Sequence, residues 1–176
     1  GENFEPVPGF HEGSAWNYTF YVPHDIKGLI KLMGGEKKFV EKLQKVFDEG
    51  LYDPSNEPDI AYPYLFSYVK GQEWRTKKTV RAILDKYYGT HSAGLPGNDD
   101  TGTMSAWAIF SMMGFYPDCP GDPYYVITAP VFDKVEIRLD PKYNNGREQL
   151  TLTKKGDKKI QNVILKGKKC EGMRVL

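Results

Sequence analysis

The run TMSAWAIFSMM at 103–113 carries no charge and no polar stripe. A helix of that composition is apolar on every side and has to be covered on every side. The few other helices that this chain encodes are too few to surround it, so covering elements from elsewhere in a longer protein are expected. Directly before the run, GNDDTG at 97–102 places Asn98, Asp99 and Asp100 between two glycines and behind Pro96. One aspartate at a helix N-terminus is ordinary capping. A second, adjacent one asks for another reason.

The remaining pattern divides in two. Residues 13–33 read as a helix interrupted at Pro23, with Asp25 capping its second half and Gly34-Gly35 ending it. Residues 36–48 form an amphipathic helix with Phe39, Val40, Leu43, Val46 and Phe47 on one face. Residues 60–70 read as an apolar helix and 74–88 as a second amphipathic one. After PDCPGDP at 117–123 the period shortens. YYVIT (124–128), KVEIRL (134–139), QLTLTKK (149–155) and IQNVILKG (160–167) are strand-like, with NNG at 144–146 as a turn. Helices followed by strands mean an α+β chain, with the division drawn between 1–117 and 118–176.

The chain has 176 residues, which suits one domain or a piece of a larger one. It opens on GENFEPVPGF, which resembles neither a signal peptide nor a usual initiator, so a fragment of a longer protein is expected. A net charge of +1 with 27% charged residues argues against nucleic-acid binding and against disorder. The charge is uneven: residues 124–176 hold 12 Lys and Arg against 6 Asp and Glu, which includes KKGDKK, read as a solvated turn. No apolar run reaches membrane length. Two cysteines, Cys119 and Cys170, are too few for a disulfide scaffold and match no zinc spacing; pairing and free thiols both stay open. Aromatic residues make up 14% of the chain; most belong to a core, although sugar-binding clefts also use them.

Three acidic loops stand at helix ends: HEG with Glu12, DPSNEPD with Asn56, Glu57 and Asp59, and GNDD with Asp99 and Asp100. In a ring of antiparallel helices alternate loops emerge on one face, so the three could meet. Two carboxylates facing each other across a cleft can cleave a glycosidic bond, one giving a proton to the leaving oxygen and one taking a proton from water. Glu12 precedes an aromatic-rich helix start, and an apolar setting would keep it protonated. Asp99 and Asp100 stand where the N-terminal helix dipole favours ionisation.

The order of EGSAWNYTFYVPHD, MGG, NEP, PYLFSYV, GLPGNDD, G-x-MSAW and MGFYPDCPG over residues 10–140 resembles glycoside hydrolase family 92, a family of exo-acting α-mannosidases. The resemblance implies a β-sandwich joined to an (α/α)6 toroid. This chain would then supply the last toroid helices and a C-terminal antiparallel β region. It also implies calcium dependence and inversion of the anomeric centre. Carried over residue by residue, Glu12 is the general acid, Asp100 the general base and Asp99 its support. Asn56 and Glu57 form the Ca²⁺ segment, and Trp16, His24, Asp25 and Trp74 are substrate contacts. Asn98 stands where some members have Asp. Asp59, Ile60 and Ala61 stand where many show a His pair, and the loop before NEP is short; both changes bear on the leaving-group sugar. The expected partners are a mannose-containing glycan, mannose-rich or N-linked, and the remainder of the parent polypeptide, without which the chain is expected to be inactive. A periplasmic or extracellular setting follows from the family. The alternatives are a non-catalytic carbohydrate-binding relative and a member that cleaves mannosyl phosphates.

Overall fold

The computed structural model describes residues 9–154 and, as backbone, the strands Val163–Leu165, Lys168–Cys170 and Arg174–Val175. The opening residues 1–8, most of KKGDKK, residues 160–162 and 166–167 of the last expected strand and the side chain of Cys170 lie outside the described residues.

The expected helix over 13–33 is three pieces: α1 (Ala15–Thr19), a 3-10 turn at Pro23–Asp25, and α2 (Ile26–Leu32). Pro23 has no N–H to donate, and it drives Val22 out of helical backbone to φ −131°. α1 starts at a capping box in which the Ser14 hydroxyl accepts from the Trp16 N–H and Asn17 Oδ1 accepts from the Ser14 N–H at 2.8 Å. Asp25 caps α2 as expected, accepting from the Gly28 N–H at 2.8 Å. α3 spans Glu36–Asp48 and buries Phe39, Val40, Leu43 and Val46 along one stripe. α4 spans Glu73–Tyr87 and buries Thr76, Val80, Ile83 and Leu84.

The apolar stretch at 60–70 is not an α-helix. It is a 3-10 segment, Tyr62–Tyr68, opened by Pro63, with Tyr62, Pro63, Tyr64, Leu65 and Phe66 all buried. Phe20 meets Phe39 and Tyr62 edge-on at 5.5 and 5.3 Å, and Tyr64 stacks on Tyr116 at 4.4 Å. The Tyr64 and Ser111 hydroxyls lie 2.6 Å apart, which partners both polar tips inside the core.

α5 spans Thr103–Met113. Its Met104, Trp107, Ala108 and Ser111 are buried, whereas Ala106 is exposed and Ile109 is 52% exposed. The apolar helix is thus covered on one side among the described residues. It ends at Gly114 in the left-handed region (φ +89°). From there β1 (Phe115–Tyr116) pairs antiparallel with β2 (Tyr125–Ile127), and β2 pairs with β7 (Arg174–Val175). β1 was not legible as a strand. The expected division at 117/118 falls in the loop between β1 and β2, so one sheet draws on both sides of it. β3 (Lys134–Arg138) and β4 (Gln149–Thr153) form a hairpin that aligns Val135 with Leu152 and Ile137 with Leu150. β5 (Val163–Leu165) pairs with β6 (Lys168–Cys170). The α+β class is as expected.

The turn after α5 joins helix to sheet. The Gly114 carbonyl accepts from the Thr128 N–H at 2.7 Å, and the Met112 carbonyl from the Val131 N–H at 2.8 Å. A Cβ on Gly114 would stand 2.6 Å from the Pro130 backbone nitrogen. Gly114→Ala therefore combines an unfavourable φ with a backbone clash, and should lower stability by more than about 1 kcal/mol in denaturant unfolding. An unchanged midpoint would contradict this packing.

Candidate active site

The first loop holds Glu12 with φ +48°, a left-handed conformation that is costly for a residue with a Cβ. The next residue explains how it is held. Gly13 is buried, and a Cβ there would approach the Asn17 side chain to 3.2 Å. The Glu12 carbonyl also accepts from Asn56 Nδ2 at 2.9 Å. The Glu12 carboxylate itself is 76% exposed, with His11 Nε2 at 3.5 Å. The apolar enclosure expected around it is not built by the described residues.

The second loop, 53–59, is tied in two directions. Asp53 Oδ1 accepts from the Ser55 N–H and hydroxyl, a tight Asx turn. Asp59 is fully buried; its Oδ2 accepts from the Asp53 N–H at 2.8 Å and from Asn17 Nδ2 at 2.9 Å. Its Oδ1 has no hydrogen-bond partner among the described residues. Burial pushes the Asp59 carboxyl up to about 7, against the opposing pull of the Asp53 N–H and the Asn17 amide. Asp59 was grouped with the acidic loops but given no role. The signal was there: in NEPDIAYPYLF the acid stands directly against an apolar run.

In the third loop the adjacent aspartates divide their tasks. Asp99 accepts from the Ser105 hydroxyl at 2.5 Å and the Ser105 N–H at 2.7 Å. These bonds, the hydroxyl's first, hold its carboxyl below the usual range. Asp99 therefore does the capping. Asp100 is exposed, and its backbone carbonyl accepts from the Thr101 and Thr103 hydroxyls, both at 2.7 Å. Thr101 also takes a positive φ, +52°. Gly97 presses on the second loop so closely that a Cβ would stand 2.5 Å from Ser55 Cβ. Tyr88 stacks on Trp107 at 5.4 Å, and Trp107 Nε1 donates to the Ile60 carbonyl at 2.9 Å. Burial, then the charge of Asp99, pushes the Tyr88 phenol up to about 12.

Contacts through Asn56 and Gly97 thus bring Glu12, Asn56, Glu57, Asp99 and Asp100 onto three touching loops. The other candidate residues have contacts of their own. Trp16 is half-buried, with Lys42 and Lys45 over its ring at 5.6 and 5.2 Å. Asp25 is spent on its cap, and His24 beside it is exposed. Trp74 is 52% exposed in a groove between α3 and α4 walled by Phe47, Tyr52, Arg75 and Tyr87, with the Arg75 guanidinium 4.7 Å from its ring centre. Asn56, having given its amide N–H to Glu12, keeps Oδ1 as an acceptor, and Glu57 adds a carboxylate. These are hard oxygen donors of the kind Ca²⁺ takes, but only part of a set of six to eight. Among the described residues no three His, Cys, Asp or Glu side chains gather as a metal site.

The catalytic-domain model of glycosyl hydrolase family 92 matches residues 2–175. The chain belongs to that family. A secreted glycosidase of Arthroderma benhamiae, uncharacterized, is 32% identical over 155 residues, 88% of this chain and 20% of that protein. A family 92 alpha-mannosidase of Bacteroides thetaiotaomicron, solved with mannoimidazole, superposes with a TM-score of 0.78 at 31% identity, over 93% of this chain and 23% of its own. A family 92 inverting mannosidase from the same organism superposes with a TM-score of 0.78 at 30% identity, over 99% of this chain and 27% of its own. The family 92 chain described here therefore spans a fifth to about a quarter of the length of these relatives, and its helices followed by small antiparallel sheets match theirs.

The buried carboxyl has a measurable consequence. A folded-state value raised from 3.8 to about 7 means that Asp59 contributes most below about pH 4 and progressively less as pH rises to about 7, a change on the order of 4 kcal/mol. Asp59→Asn removes that titration. The difference in unfolding midpoint between variant and wild-type intact protein should shift in favour of the variant from pH 4 to pH 7. A difference that is flat over this range would contradict the assignment.

Proposed function

We propose that this chain is part of an exo-acting α-mannosidase that releases terminal α-linked mannose from mannose-rich glycans in a single inverting step. The observation that carries the reading is the joining of the three loops, with the Asn56 amide on the Glu12 carbonyl at 2.9 Å and Gly97 against Ser55. Both outer loops contact the same middle loop, the Glu12 and Asp100 side chains are exposed, and Asp99 is bonded to Ser105, which supports the reading. Family membership and the mannosidase names of the superposed structures support mannosides as the substrate class.

In this reading Glu12 gives its carboxyl proton to the glycosidic oxygen as the C1–O bond breaks. Asp100 accepts a proton from the water whose oxygen forms the new bond to C1 on the opposite face. The two carboxyl groups should stand roughly 6.5–9.5 Å apart in the intact enzyme, leaving room for that water. Asp99, held ionised by Ser105, orients the loop on which Asp100 stands. Asn56 and Glu57 would hold Ca²⁺, which when bound supplies Lewis-acid polarisation and a clamp on sugar hydroxyls. The parent polypeptide supplies the remaining walls, and the secreted relative supports an extracellular or periplasmic setting. No described helix is long and apolar enough to cross a membrane.

In the intact enzyme, Glu12→Gln and Asp100→Asn should each lower kcat on mannobiose by about 10²–10⁴-fold, the range of general acid–base assistance, with mannose binding retained by calorimetry. Unchanged turnover in either variant would remove that residue from the mechanism. EDTA should abolish activity and added Ca²⁺ restore it; activity indifferent to both would remove the metal. The isolated 176 residues should show no turnover of mannobiose, and measurable turnover would overturn the dependence on the parent polypeptide.

A further inference from the structure

The buried Asp59 has no task in the chemistry described above, yet its contacts lead to Glu12 by two routes. The first route runs through Asn17. Asp59 Oδ2 accepts from Asn17 Nδ2 at 2.9 Å. The other end of that amide, Asn17 Oδ1, accepts from the Ser14 N–H at 2.8 Å and the Ser14 hydroxyl at 2.9 Å. The Asn17 side chain is also the surface against which Gly13 packs. The second route runs through the loop itself. Asp59 Oδ2 accepts from the Asp53 N–H at 2.8 Å and so closes 53–59 into a ring. That ring carries Asn56, whose amide holds the Glu12 carbonyl at 2.9 Å.

Glu12 stands at φ +48°, a conformation that persists only where its surroundings over-determine it. Here the surroundings are Asn17 beneath Gly13 and Asn56 on the carbonyl, and both depend on one buried oxygen. We propose that Asp59 is a positioning residue that, through Asn17 and the closed 53–59 loop, fixes the proton-donating Glu12 toward the leaving group. The inference rests on the proposed role of Glu12 as general acid. It does not rest on the charge of Asp59, because either protonation state leaves Oδ2 able to accept both N–H bonds.

The test separates proton donation from every other step by the choice of leaving group. A dinitrophenolate leaves without a proton, whereas a sugar alkoxide needs one. In the intact enzyme, Asp59→Ala should lower kcat on mannobiose by about 10²-fold while changing turnover of dinitrophenyl α-mannoside by less than about 3-fold, since a misplaced donor forfeits only general-acid assistance. A disturbed cation segment or a damaged fold would lower both substrates alike, and that outcome overturns the proposal. Asp59→Asn keeps the accepting oxygen and should recover at least half of the loss on a logarithmic scale; no recovery also counts against it. If Asp59→Ala does not fold, Asn17→Ala cuts the same link from the other end and should show the same split between substrates, and an equal loss on both overturns the proposal. Glu12→Gln is the reference. If it shows no split, the general-acid reading has failed; if it splits and neither Asp59→Ala nor Asn17→Ala does, the positioning role has failed alone.

Discussion

The arrangement of this chain depends on one carboxylate oxygen placed where water does not reach. Asp59 Oδ2 receives two N–H bonds, from Asn17 and from Asp53, and so joins the start of α1 to the loop before the central 3-10 segment. Inside a protein a hydrogen bond is electrostatically stronger than in water, and an unmade one is expensive. The link joins residues 42 apart in the chain. From it Asn56 reaches Glu12, while Gly97 of the third loop packs separately against Ser55. Among the described residues Oδ1 of Asp59 has no partner, and burial favours the protonated carboxyl.

Around this polar node the fold is held by aromatic packing. The segment Tyr62–Tyr68 presents five successive buried residues to the helices around it, with Phe20, Phe47, Trp107 and Tyr116 as ring partners. Aromatic pairs of this kind contribute about 0.5–1.5 kcal/mol each beyond the area that they bury. Tyr62 serves both systems: its hydroxyl donates to the Asn17 carbonyl at 2.7 Å and accepts from the Phe20 N–H at 3.0 Å, while its ring lies in the core. Trp107 does the same on the other side, stacking on Tyr88 and donating to the Ile60 carbonyl. The core and the candidate site thus share residues, and damage to one reaches the other. The exposed side of α5, at Ala106 and Ile109, has no cover among the described residues. This chain spans only a fifth to about a quarter of the relatives it matches.

Much of this was readable from the amino acids in order. α3, α4 and α5 stand within a residue of where spacing placed them, because their signals are local: a 3.6-residue stripe, a capping acid, a terminal glycine. The hairpin β3–β4 followed from alternation, and Asp25 as a cap from its place after Pro23. The errors share a physical origin. The helix over 13–33 broke into three because one proline outweighed a continuous apolar pattern. The apolar run at 60–70 is 3-10 rather than α, a distinction that composition does not carry. β1, two residues long, exists only because β2 returns to pair with it.

For the candidate site, residue types and motif order were enough to nominate Glu12, Asn56, Glu57, Asp99 and Asp100, since acid–base chemistry and oxygen ligation need those groups. Their division of labour was not readable in that way. That Asp99 is consumed by Ser105 while Asp100 is left exposed, and that a buried Asp59 accepts from Asn17, both depend on which groups lie within about 3 Å of one another, the range of a hydrogen bond. Chain order settles what a side chain can donate or accept; folding settles which partner is near enough to take the offer, because hydrogen bonds and burial act over distances that sequence separation does not measure.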